Sequence, residues 1–83
     1  MTDSSDYFGM LKDGELTPAD EIEYIDYLKS QVKGHKYDHH DDAHMTLGEL
    51  KTELDELQVY EDLHPAHRHD VSNMRKDVER MME

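Results

Sequence analysis

Cysteine is absent from this 83-residue chain, which excludes a disulfide framework, a thiolate zinc site and a cysteine nucleophile. Basic residues are scarce: nine Lys and Arg stand against 21 Asp and Glu, a formal net charge of −12 with His neutral. Such a chain repels phosphate backbones and anionic headgroups, so direct binding to DNA, RNA or a charged bilayer is not expected. No apolar run approaches the about 20 residues that cross a membrane. The opening Met-Thr-Asp-Ser-Ser-Asp is acidic where a secretory leader is basic and then apolar, so the expected compartment is the cytoplasm. A Gly-rich phosphate loop, a G-x-S-x-G elbow and an H-E-x-x-H pair are all missing. A domain this small also has little room for a deep pocket. The chain reads as neither an enzyme nor a cofactor carrier.

What is present is negative charge, in two blocks. Residues 1–26 hold eight acids and one base, Lys12, and residues 41–62 again hold eight acids and one base, Lys51. Residues 27–40 are slightly basic, with Lys29, Lys33 and Lys36 against Asp38, and residues 63–83 balance four bases with four acids. With 35% hydrophobic residues and a mean hydropathy of −1.02, the chain sits near the border of disorder, and periodicity decides for folding.

Residues 1–16 read as an acidic arm, with a short turn or helix near residues 5–11 and aromatics that dock on the core. Gly9 and Gly14 interrupt any longer helix. A helical domain over 17–83 follows, with helices at about 17–33, 47–62 and 66–82. Thr17 and Pro18 supply an N-cap and a proline at the first helical position. Gly34 is the expected end of that helix. Ile22, Ile25, Leu28 and Val32 share one face, Asp20, Glu23 and Asp26 the opposite one, and Tyr24 and Tyr27 border the core with their hydroxyls in water. Thr46 and Glu49 form a capping box, and Met45 and Leu50 have the spacing of a hydrophobic staple. Leu47, Leu50, Leu54 and Leu57, then Val71, Met74, Val78 and Met81, repeat at +3, +4, +3. His64 before Pro65 marks a break between the last two helices. The expected fold is all-α: a small three-helix bundle with an N-terminal arm and a His/Asp-rich loop, which could form a homodimer.

The loop resembles an EF-hand calcium loop. Asp38, Asp42, Thr46 and Glu49 match positions 1, 5, 9 and 12 of the twelve-residue pattern, and Met45 fills the apolar position 8. His40 stands where position 3 carries an oxygen ligand, and Ala43 where position 6 is glycine; what the resemblance then implies is a degenerate loop. Histidine offers another metal reading. His35, His39, His40 and His44 form one cluster and His64, His67 and His69 a second, so Asp38, His40, Asp42, His44 and Glu49 are the alternative metal-ligating set.

The acidity itself admits two explanations, solubility or imitation of a phosphate backbone. From Leu47 to Asp62 the net charge is −5, about one charge per 5 Å at about 1.5 Å rise per residue. Duplex DNA carries one per about 1.7 Å, so one helix is a sparse mimic and both blocks are needed. In being short, free of cysteine and strongly negative, the chain resembles the small acidic DNA-mimic proteins, many encoded by bacteriophages to disable host proteins. The resemblance is compositional, rests on no motif and covers the whole chain. It implies an inhibitor seated on the basic groove of a nucleoid-associated protein, a polymerase or a nuclease, with Asp20, Glu23, Asp26, Glu49, Glu53 and Glu56 as the expected interface. The alternative partner mode is an adaptor that binds a helix through its leucine or methionine seam.

Overall fold

The computed structural model describes residues 4–37 and 44–83. Among them are four helices and no strand: α1 (Ser4–Asp13), α2 (Pro18–Lys36), α3 (Leu47–Gln58) and α4 (Pro65–Met82). The acidic arm thus contributes a ten-residue helix where the sequence suggests a short turn or helix, making four helices instead of a three-helix bundle with an arm. A radius of gyration of 11.9 Å matches the about 11.8 Å expected for a folded chain of this length.

Local signals fix most helix ends. Gly14, at φ 72°, closes α1 with a Schellman pair, Gly14 N–H to the Leu11 carbonyl at 3.2 Å and Glu15 N–H to that of Met10 at 2.8 Å. Thr17 caps α2 by accepting the Asp20 N–H. The full capping box of Thr46 and Glu49 opens α3, and His64 with Pro65 opens α4. Two ends differ from expectation. Gly34 lies buried inside α2, which continues to Lys36: a single glycine costs a helix about 1 kcal/mol without stopping it, and Lys33, His35 and Lys36 suit the negative C-terminal end. Helix α3 stops at Gln58, four residues early. Glu61 and Asp62 are unfavourable at a C-terminus, and Arg68 reaches back from α4 to cap the Gln58 and Tyr60 carbonyls at 2.5 and 2.8 Å.

Contacts between Tyr24 and Glu53 and between Gln31 and Met45 run α3 antiparallel to α2. The pairs Lys29–Asp70 and Lys36–Asp77 run α4 parallel to α2, and α1 packs on both α2 and α3. Leu50, Leu54, Leu57, Val71 and Val78 are fully enclosed, with Met74 beside them, and Tyr7 and Leu11 of α1 join that core. The leucine and methionine seams are therefore mostly internal. On α2, Ile25, Leu28 and Val32 are buried as expected, but Ile22 is 53% exposed, while Tyr24 is wholly buried rather than wet at its hydroxyl. Packing of α1 and α3 on either side of Tyr24 draws the ring inward, because the larger apolar area gains most from leaving water. No helix among the described residues is long and apolar enough to cross a membrane.

Candidate functional site: acidic grooves beside the first helix

Among the described residues, Glu21, Gln31 and Glu53 are polar side chains buried in this core, and each ties distant segments together. Glu53 accepts the Tyr24 hydroxyl. Gln31 Oε1 accepts the N–H groups of His44 at 2.6 Å and Met45 at 2.9 Å, holding the entry to α3. Glu21 Oε1 accepts the His64 N–H at 3.0 Å and the His67 Nδ1–H at 2.6 Å, holding the entry to α4. Burial is tolerated because each group is hydrogen-bonded.

Of the six acids expected at the interface, Glu49 and Glu53 line one open groove beside Phe8. Glu53 is 6% exposed and internal, Glu23 accepts the Tyr7 hydroxyl at 2.8 Å, and Asp20 accepts from the Thr17 hydroxyl at 2.8 Å. Tyr7 stacks on Tyr24 with ring centroids 5.3 Å apart, so α1 itself covers this side of α2. The Glu23 carboxylate beside the Tyr7 hydroxyl and partial burial both raise that phenol above its ordinary pKa; burial first and then the Glu53 bond raise that of Tyr24. Glu49 accepts the Thr46 N–H in the capping box and lines an open groove with Phe8. Asp26 and Glu56 are exposed.

Another set of acids lines a second groove. Asp13, at the end of α1, shares with Glu56, Glu61 and Asp62 the lining of an open groove of about 470 Å³, which also includes Lys12, Leu11 and Tyr60. Asp13 belongs to the first acidic block and the other three to the second. Helix-face reasoning missed Asp13, Glu61 and Asp62 because all three sit at or beyond helix ends. Their signal is the block composition rather than a period.

Cations are distributed to match. The described Lys and Arg ion pairs, Lys29–Asp70, Lys36–Asp77, Lys51–Asp55, Lys51–Glu79 and Arg75–Asp55, follow the two seams of α4. Among the described residues no cation pairs with Asp13, Glu56, Glu61 or Asp62. The α4 side is close to neutralised, and the groove beside α1 keeps its negative charge.

Of the alternative metal set, Asp38, His40 and Asp42 lie outside the described residues, as do His39 and Ala43 of the EF-hand-like loop. His44 and Glu49 are described: the His44 backbone N–H donates to Gln31, and Glu49 pairs with Thr46 in the capping box. Among the described residues no three His, Asp or Glu side chains are grouped as a metal would need. No protein-family model, curated protein or solved structure matches the chain.

Proposed function

We propose that this protein is an acidic inhibitor that occupies the basic nucleic-acid site of a DNA-binding protein in the cytoplasm, in the manner of a DNA mimic. The observation that carries the reading is the groove in which Asp13 from one acidic block meets Glu56, Glu61 and Asp62 from the other. Neither block alone approaches the charge density of DNA, and their juxtaposition raises it locally. The unneutralised carboxylates make the groove attractive to Lys and Arg clusters and repellent to nucleic acid. Helices α2, α3 and α4 act as the three-helix scaffold, with α1 as the second wall of the groove. Two copies paired through their α4 sides would double the acidic surface, and sedimentation over a concentration series tests that arrangement. The adaptor reading gains no support, since Leu50, Leu54, Leu57, Val71, Met74 and Val78 are buried within the chain's own core. The test of the inhibitor reading is displacement: at low salt, excess protein is expected to release DNA-binding proteins of the native host from immobilised DNA. Failure to release any of them removes the reading.

A further inference from the structure

Where α2 and α4 begin, Glu21 is a carboxylate that folding has taken almost wholly out of water, at 6% exposure. Its Oε1 accepts two hydrogen bonds, from the His64 N–H and from His67 Nδ1–H. Among the described residues its second oxygen accepts none. Nor is that oxygen sealed in, because Gln58 Oε1 is the one fully enclosed and unpartnered side-chain atom among the described residues. Glu21 lines a cleft of about 350 Å³, and this oxygen is its spare acceptor. Pro18, Ile22, Leu63 and Pro65 give it apolar walls, the imidazoles of His64 and His67 complete them beside Glu21, and Asp62 supplies a second carboxylate. Ile22, exposed where the α2 pattern expects burial, is one of those walls. The phenol of Tyr60 is raised above its ordinary pKa by burial first and then by the charges of Asp62 and Glu21, which places both carboxylates in one neighbourhood. Asp62 also lines the acidic groove, so the cleft and the groove share a wall.

We infer that this cleft receives one arginine side chain of the basic partner, its aliphatic stem against Pro18, Ile22 and Leu63 and its guanidinium against the free oxygen of Glu21 and the carboxylate of Asp62. A deeply buried carboxylate with an unused acceptor carries a desolvation cost that an incoming cation offsets. Arginine fits better than lysine because guanidinium is weakly hydrated and its planar fork serves two carboxylates at once. Its stem covers apolar walls that a bare ammonium ion would leave wet. The inference rests on the inhibitor reading only for the partner being basic; the cleft itself is read from Glu21, Ile22 and Asp62.

The test titrates the full chain with n-butylguanidinium at low salt, followed by NMR, with uncharged n-butylurea as the control. Weak but saturable shifts are expected at Ile22, Leu63 and His64, with n-butylurea giving far less. Glu21→Gln keeps an oxygen for the His64 N–H and should weaken binding at least tenfold. Ile22→Ser, at an exposed position, should weaken it several-fold with an unchanged melting temperature, and so carries the test even if Glu21→Gln unfolds. Shifts centred elsewhere, or equal binding by Ile22→Ser and the parent, would overturn the inference. If n-butylguanidinium fails here while the protein still releases DNA-binding proteins, the cleft is wrong and the inhibitor reading stands. Binding here without any release leaves the cleft and removes that reading.

Discussion

Tyr24 of α2 donates its phenolic hydroxyl to Glu53 of α3, and that one bond makes a core residue of a carboxylate the acidic pattern places at the surface. The consequence reaches the function, because Glu53 is withdrawn from the acids left to meet a partner.

Removing one member of this pair is expected to cost more than removing both. Tyr24→Phe takes one hydrogen-bond donor from the buried Glu53 carboxylate, which destabilises by about 1–3 kcal/mol. Adding Glu53→Met to that variant removes the buried carboxylate itself and should recover part of the loss. Urea denaturation of the two single variants and the double variant measures the coupling. Strict additivity of the two effects would count against a buried, interdependent pair.

The same bond sets an alkaline limit. Burial and the Glu53 carboxylate raise the Tyr24 phenol above its ordinary range, so its contribution to stability is complete below the unfolded value of about 10. Above that pH the unfolded chain releases the proton while the folded one holds it, and stability falls as pH rises. Thermal melts from pH 8 to 11 should show the decline, and Tyr24→Phe should flatten it. An equal decline in both proteins would assign the alkaline loss to other groups.

Gly14 tests the docking of α1 by a route that touches no contact. An added Cβ there would meet nothing within 4 Å, yet the backbone sits at φ 72°. Gly14→Ala should therefore destabilise by about 1–2 kcal/mol through conformation alone. Gly9→Ala, inside α1 with equal space around it, should stabilise by roughly 0.5–1 kcal/mol. Melting temperatures of the two variants should move in opposite directions.

The ion pairs along α4 are exposed enough to contribute little. Lys29→Ala, which breaks a 3.1 Å pair to Asp70, is expected to cost only about 0–1 kcal/mol. Gln31→Ala should cost more, about 1–3 kcal/mol, because the His44 and Met45 N–H groups lose their shared acceptor. Chemical denaturation of both variants ranks them, and the reverse order would contradict the importance assigned to the buried amide.

The parts of this fold legible in the sequence are the ones decided locally. Thr17 with Pro18, and Thr46 with Glu49, mark helix starts through atoms three residues apart. The +3, +4, +3 seams identify Leu50, Leu54, Leu57, Val71, Met74 and Val78 as core. Illegible were the burial of Glu21, Gln31 and Glu53, since their partners lie 13 to 46 residues away. A charged residue on a helix reads as surface until a distant donor is found for it. The early end of α3 escaped for the same reason, its cap being an arginine of the next helix. The groove acids were visible as two acidic blocks, but only the packing of α1 beside α3 brings Asp13 to Glu56 and Glu61.

The central claim is that the groove shared by the two acidic blocks binds a basic nucleic-acid site. Its most direct measurement is displacement of DNA from captured host DNA-binding proteins by the parent chain and by Asp13→Asn/Glu56→Gln/Glu61→Gln/Asp62→Asn, at stepped salt. The parent is expected to displace DNA at low salt and to weaken steeply as salt rises, with the fourfold variant at least tenfold weaker at an unchanged fold. Equal displacement by both proteins, or displacement by neither, would contradict the account.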